Sequence, residues 1–165
     1  MKSVRWLLRW AAYALAALPI SLAPVAVRLR VPRRLLGVRI TPRELTPGRV
    51  TAHSGLGAAS GLVAWFLAFL AVVAAVRGIA YPLVAANDYE NSWGGPTLAG
   101  AWVVHALLGV GLLPAWTAVL AGLGAIQVRL AGRLLGRAGP PWPVPVSVLL
   151  AAGGVVLFIA WLDQI

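Results

Sequence analysis

Four carboxylates and two histidines hold nearly all the acid–base chemistry that this 165-residue sequence can offer. The acids are Glu44, Asp88, Glu90 and Asp163, and the histidines are His53 and His105. Cysteine is absent, so thiolate nucleophiles, thiolate metal sites and disulfides are excluded. No nucleophile elbow, phosphate-binding loop or HExxH pattern occurs. Four acids, only one of them near a histidine in plausible space, leave little for general acid–base catalysis. The reading is therefore not an enzyme, with no cofactor and no metal. A metal on His105 would need Asp88 or Glu90 to fold onto it. The ordinary reading of a histidine in an apolar helix is a neutral, hydrogen-bonded ring, with proton sensing as the other option. Arg77 is the most informative charge, because it lies near the end of a long apolar run. A charge at such depth costs a few kcal/mol unless it pairs or snorkels to the headgroups. A pair with Asp88 or Glu90 would draw the following loop over the helix end. Snorkelling and contact with a ligand are the alternatives.

The elements that must position these residues follow from hydropathy. Of the residues, 61% are apolar and 11% charged, against about 25% charged in soluble domains. The charges are clustered, leaving uncharged stretches between Arg9 and Arg28, Arg49 and Arg77, Glu90 and Arg129, and Arg137 and Asp163. About 20 apolar residues cross the hydrocarbon layer. The expected fold is all-α, an integral-membrane four-helix bundle forming one domain over residues 1–165. Its helices are placed at about 10–27, 56–80, 98–127 and 144–162. Pro19 and Pro24 predict that the first is kinked or partly re-entrant. It is read as a retained helix rather than a cleaved signal, because a new basic cluster and no small-residue cleavage site follow it. Thr97 is placed to cap the third helix. Gly57 with Gly61, and Ala71 with Ala75, have the spacing that lets helix backbones approach closely.

The net charge of +10 comes almost wholly from arginine. The basic residues fill the gaps between apolar windows, so they report orientation rather than nucleic-acid binding. Loops 28–55 and 128–143 are arginine-rich, whereas loop 81–97 has no Lys or Arg and carries Asp88 and Glu90. The first two are therefore expected in the cytoplasm and loop 81–97 outside, in a multi-pass protein of a bacterial cytoplasmic (inner) membrane. This count puts both termini outside and leaves Lys2, Arg5 and Arg9 on the wrong side. A first segment that enters and returns removes the conflict. Arg30, Arg33, Arg34, Arg39, Arg129, Arg133 and Arg137 are the candidates for contact with anionic headgroups or a partner. RRLLG at 33–37 and GRLLG at 132–136 echo one another and suggest two related elbows. Most tryptophans fall near expected interfaces, as an aromatic belt does; Trp93 instead sits in the outer loop, where it anchors or lines a pocket.

Arg77, Tyr81, Pro82, the stretch from Asp88 to Glu90, Trp93, Gly94, Gly95, Pro96, Gly100, Trp102 and His105 together resemble the sensor domain family of actinobacterial membrane proteins. The basic RRLLGVRI run is similar to that family's cytoplasmic linker. The resemblance implies a four-helix membrane unit whose outer loop receives a signal, often upstream of a histidine kinase. It makes Arg77, Tyr81, Asp88, Glu90, Trp93, Gly94, Gly95, Pro96, Trp102 and His105 the candidates for ligand contact or loop closure. No kinase segment follows here, so signalling would pass to a membrane-protein partner or a second copy. An accessory subunit of a larger transporter or redox complex is the alternative, its small-residue helix faces being partner interfaces.

Overall fold

The computed structural model describes residues 2–85 and 89–164. These are all-α: α1 Lys2–Leu22, α2 Val25–Leu36, α3 Pro47–Ile79, α4 Tyr81–Val84, α5 Leu98–Gly111, α6 Leu113–Leu134 and α7 Pro143–Leu162. Three helical stretches are long and apolar enough to cross a membrane: Pro47–Ile79, Leu98–Leu134 and Pro143–Leu162. Only 6% of the apolar window of each of the last two is buried within the chain. Side chains such as Leu149, Val156 and Leu107 face outward, where only lipid or another protein spares them contact with water. The chain is a multi-pass membrane protein.

The helix boundaries differ from the expected ones for identifiable reasons. α3 starts at Pro47 rather than near 56, because Thr46 followed by proline is a helix start. Pro47 lacks an N–H that would have no partner in the first turn anyway. At about 1.5 Å per residue, α3 is roughly 50 Å long and exceeds the hydrocarbon layer. The third stretch is longer than 98–127 and is interrupted at Leu112, two residues before Pro114, which has no N–H for the carbonyl of Val110 and whose ring crowds it. The linkers shrink accordingly, to 37–46 and 135–142, and α4 occupies the start of loop 81–97.

The first apolar segment folds as a helical hairpin rather than as the single helix expected at 10–27. α1 runs through Pro19, ends at Leu22 and bends at Ala23–Pro24 into α2. Pro19 has no N–H for the carbonyl of Leu15. The Trp65 indole N–H donates to that carbonyl instead, at 2.9 Å, so α1 continues past the proline. α2 returns far enough for Arg9 Nε to donate to the Leu35 carbonyl. The third turn of α1 therefore lies beside the C-terminal turn of α2.

The chain divides into two compact units, Met1–Phe66 with Ala118–Ile165, and Leu67–Thr117. In the larger unit, Tyr13, Ile20 and Val128 form a buried cluster with Val31, Leu35 and Val38 around it, joining α1, α2 and α6. α3 packs on α1 through the expected Gly57 and Gly61: a Cβ on Gly57 would meet the Ser21 side chain, and one on Gly61 the Leu18 backbone at 2.7 Å. α7 packs on α3 through Phe66, which meets Phe158 edge-on at 5.4 Å and Trp161 at 5.8 Å. In the smaller unit, α3 and α5 approach at Gly78 against the His105 carbonyl and at Gly109 against Ala74.

Candidate functional site

The smaller unit collects most of the residues expected at the outer loop. Tyr81 opens α4, two residues beyond the end of α3, and His105 lies two turns into α5. Their rings stack at 4.0 Å between centroids and 18° between planes. The Tyr81 hydroxyl donates to Ser92 Oγ at 2.6 Å, tying the middle of the loop to the same ring. Trp102 Nε1–H donates to the Ile79 carbonyl at 2.9 Å, satisfying one of the last carbonyls of α3 that have no partner within the helix. Thr97 caps α5 as expected, its hydroxyl accepting from Gly100 N–H at 3.1 Å.

Gly94 and Gly95 are required by shape. Gly94 has φ of 91°, where a side chain is strained. A Cβ there would meet the Val104 side chain at 2.8 Å, and one on Gly95 the Glu90 carbonyl at 2.6 Å. Pro96 follows through a cis peptide bond. The loop thus lies directly against the first turns of α5. Trp93 points away from it and is 76% exposed.

His105 Nδ1 lies 2.8 Å from the Ala101 carbonyl. Only a protonated nitrogen can bond a carbonyl, so Nδ1 carries a hydrogen. Arg77 and Glu90 are exposed, and among the described residues no ion pair joins them. Asp88, the other expected partner of Arg77, lies outside the described residues. No group of three metal-ligating side chains occurs among the described residues. What the arrangement can do is hold an exposed tryptophan on a loop pinned by one stacked and hydrogen-bonded tyrosine. Tyr81→Phe keeps the stack and loses the bond to Ser92, a loss of about 1 kcal/mol. The expected outcome is faster proteolysis between residues 85 and 97 with unchanged helicity, read by limited digestion and circular dichroism.

The larger unit contains a polar cluster that charge counting missed. Arg28, the first residue of the arginine-rich loop expected at 28–55, is 6% exposed. Its Nε donates to the Ala23 carbonyl at 2.7 Å, and its Nη1 to the Val50 carbonyl and to His53 Nδ1, both at 3.3 Å. Desolvation pushes its basicity below the ordinary arginine value, but an arginine remains charged. His53 accepts at Nδ1 and is 4% exposed. Two spacings agree with this placement without announcing it. Arg28 lies one turn after Pro24, within reach of the carbonyls a proline bend exposes. His53 lies one and two turns before Gly57 and Gly61, on the face that packs against α1.

Arg30, Arg33, Arg34, Arg39, Arg129, Arg133 and Arg137 are all exposed. The two elbows are brought together, because Arg43 N–H donates to the Leu135 carbonyl at 3.1 Å and Arg137 N–H to the Thr41 carbonyl at 3.0 Å. These bonds form a bridge between Pro42 and Gly136. Arg137 Nε adds a bond to the Pro42 carbonyl at 3.2 Å, and Arg129 lies 5.6 Å over the Trp142 ring. Gly37 ends α2 with φ of 75°, which turns the chain into this bridge. The comparisons with protein-family models, with curated proteins and with solved structures give no match to the chain.

Proposed function

We propose that the chain is a small sensory or regulatory protein of a bacterial cytoplasmic membrane. The loop spanning residues 81–105 is its input, and the arginine-rich elements are its cytoplasmic output to a partner or to anionic lipid. The observation that carries this reading is the closure of the loop by Tyr81. One ring is stacked on His105 and bonded to Ser92, while Trp93 stays exposed beside the Gly94 turn. A loop that served only as a connection would need neither feature. The resemblance to the actinobacterial sensor domain family rests on these same residues.

The orientation is read from arginine placement. The returning α1–α2 hairpin sets Arg9 beside the C-terminal turn of α2, and the Pro42–Gly136 bridge joins the two basic linkers. With these elements cytoplasmic, the N-terminus is cytoplasmic too.

Arg77→Ala and Trp93→Ala test the reading, since both side chains are exposed and their loss costs less than about 0.5 kcal/mol of stability. Each variant is expected to insert and fold normally, yet to fail to restore the transcript changes caused by deleting the gene in its host. Full restoration by both variants would remove the loop as input. A catalytic complex that copurifies stoichiometrically in mild detergent would replace this reading with the accessory-subunit one.

A further inference from the structure

Three arginines meet at one place in the larger unit. Arg43 stands in the linker between α2 and α3, Arg49 in the first turn of α3, and Arg133 in the last turn of α6. They line a cleft of about 570 Å³ whose remaining wall includes Pro141 and Val144 at the start of α7. No carboxylate lines it. The backbone sets the three in place. Arg43 N–H is bonded to the Leu135 carbonyl at the end of α6, and Arg49 N–H to the Thr46 carbonyl at 3.1 Å. Gly139 lies so close to Arg133 that a Cβ there would fall 2.6 Å from the Arg133 nitrogen, which holds the following linker against α6.

Arg49 Nη1 is buried and has no hydrogen-bond partner among the described residues. A buried charged donor without a partner is costly, and like charges gathered on one cleft repel. Both costs are relieved by one ligand class, a compact anion with several acceptor oxygens. Guanidinium groups match phosphate oxygens in pairs, with short charge-assisted hydrogen bonds. We propose that this cleft binds a phosphate group, carried either by an anionic lipid headgroup or by a soluble phosphate compound. The site does not depend on the outer-loop reading, and its failure would leave the tests of Arg77 and Trp93 standing.

The test uses the full chain purified in a neutral detergent. Native mass spectrometry reads retained phosphatidylglycerol, and calorimetry reads inorganic phosphate and pyrophosphate. Arg43→Gln, Arg49→Gln and Arg133→Gln are each expected to weaken binding tenfold or more. Arg5→Gln removes the same charge from an exposed position outside the cleft, and is expected to change it less than twofold. Retention of phosphatidylglycerol that millimolar phosphate does not displace identifies a lipid headgroup. Binding of phosphate or pyrophosphate by lipid-free protein identifies a soluble ligand. Equal losses in cleft and control variants would overturn the proposal, as would failure of every probe to bind. If Arg49→Gln does not fold, Arg43→Gln, whose side chain lies in the linker, decides alone.

Discussion

Replacing Arg28 by methionine lowers the unfolding free energy by about 3 kcal/mol or more, the scale set by losing several hydrogen bonds from one buried charge. The side chain is 6% exposed, and its three acceptors belong to two different pieces of chain. Ala23 is the bend between α1 and α2, Val50 is in the second turn of α3, and His53 is one turn further on. Removing the guanidinium therefore leaves two carbonyls and an imidazole nitrogen without this donor, at a site closed to water. It also frees the hairpin from α3. Arg30→Met, two residues away on an exposed position, is expected to stay within about 0.5 kcal/mol of wild type. The two variants separate a buried hydrogen-bond network from a general preference for basic residues at this interface. Unfolding by heat or by denaturing detergent, followed by circular dichroism, reads both. Equal midpoints for the two variants would sink the network. A double variant, Arg28→Met with His53→Leu, should recover part of the loss. It replaces both members of one polar pair by apolar groups, which is much less costly than orphaning one of them. Recovery cannot be complete, because the carbonyls of Ala23 and Val50 remain.

What the sequence shows and what it hides follow from the range of the forces concerned. The three long apolar stretches were legible because burial in lipid depends on composition over about 20 residues and on nothing else. The cap at Thr97 was legible because it is local, made within one turn. The Gly94–Gly95–Pro96 turn, Trp102 and His105 were expected to belong to one element, and they lie together at the end of α3 and the first turns of α5. The particular bonds were not legible. Nothing in spacing says that the Trp102 indole reaches Ile79, or that Tyr81 takes Ser92 as its acceptor. The path of the first segment was hidden for a different reason. Pro19 announces a lost backbone bond, but the group that makes good that loss is Trp65, 46 positions away in the chain. Arg28 was hidden in the same way. Counted as a charge it belonged to a basic loop, and only its three partners from elsewhere show it to be internal. Local physics could be read from the chain, and long-range hydrogen bonding could not.

Gly61→Val separates α1 from α3, with an expected loss of about 3 kcal/mol, at the upper end of what overpacking costs. A Cβ at this position would lie 2.7 Å from the Leu18 nitrogen and 2.9 Å from its Cα. These are backbone atoms of a helix, so no rotamer change relieves the contact and the helices must move apart. One turn away on either side, the same interface carries features that tolerate no such movement. Gly57 packs against the Ser21 side chain, and Trp65 donates at 2.9 Å to the carbonyl that Pro19 leaves without a partner. Widening the interface therefore lengthens the indole bond and weakens α1 where it already lacks one backbone bond. Composition cannot mimic this effect, since glycine elsewhere in these helices has the opposite sign. A Cβ on Gly55 of α3 or Gly153 of α7 meets nothing within 4 Å. Alanine there is expected to stabilise by up to about 1 kcal/mol, because glycine is the poorer helix former. Thermal unfolding in one detergent ranks Gly55→Ala and Gly153→Ala at or above wild type, and Gly61→Val well below it. A Gly61→Val protein that unfolds with wild type would show that α1 does not rest on α3 at this contact. The Trp65→Phe variant then offers a second reading of the same interface. It keeps the ring and loses only the indole N–H, at a cost of about 1 kcal/mol, and combined with Gly61→Val it should cost less than the sum of the two. The glycine change already breaks the bond that Trp65 makes, and residues sharing one contact are coupled rather than additive.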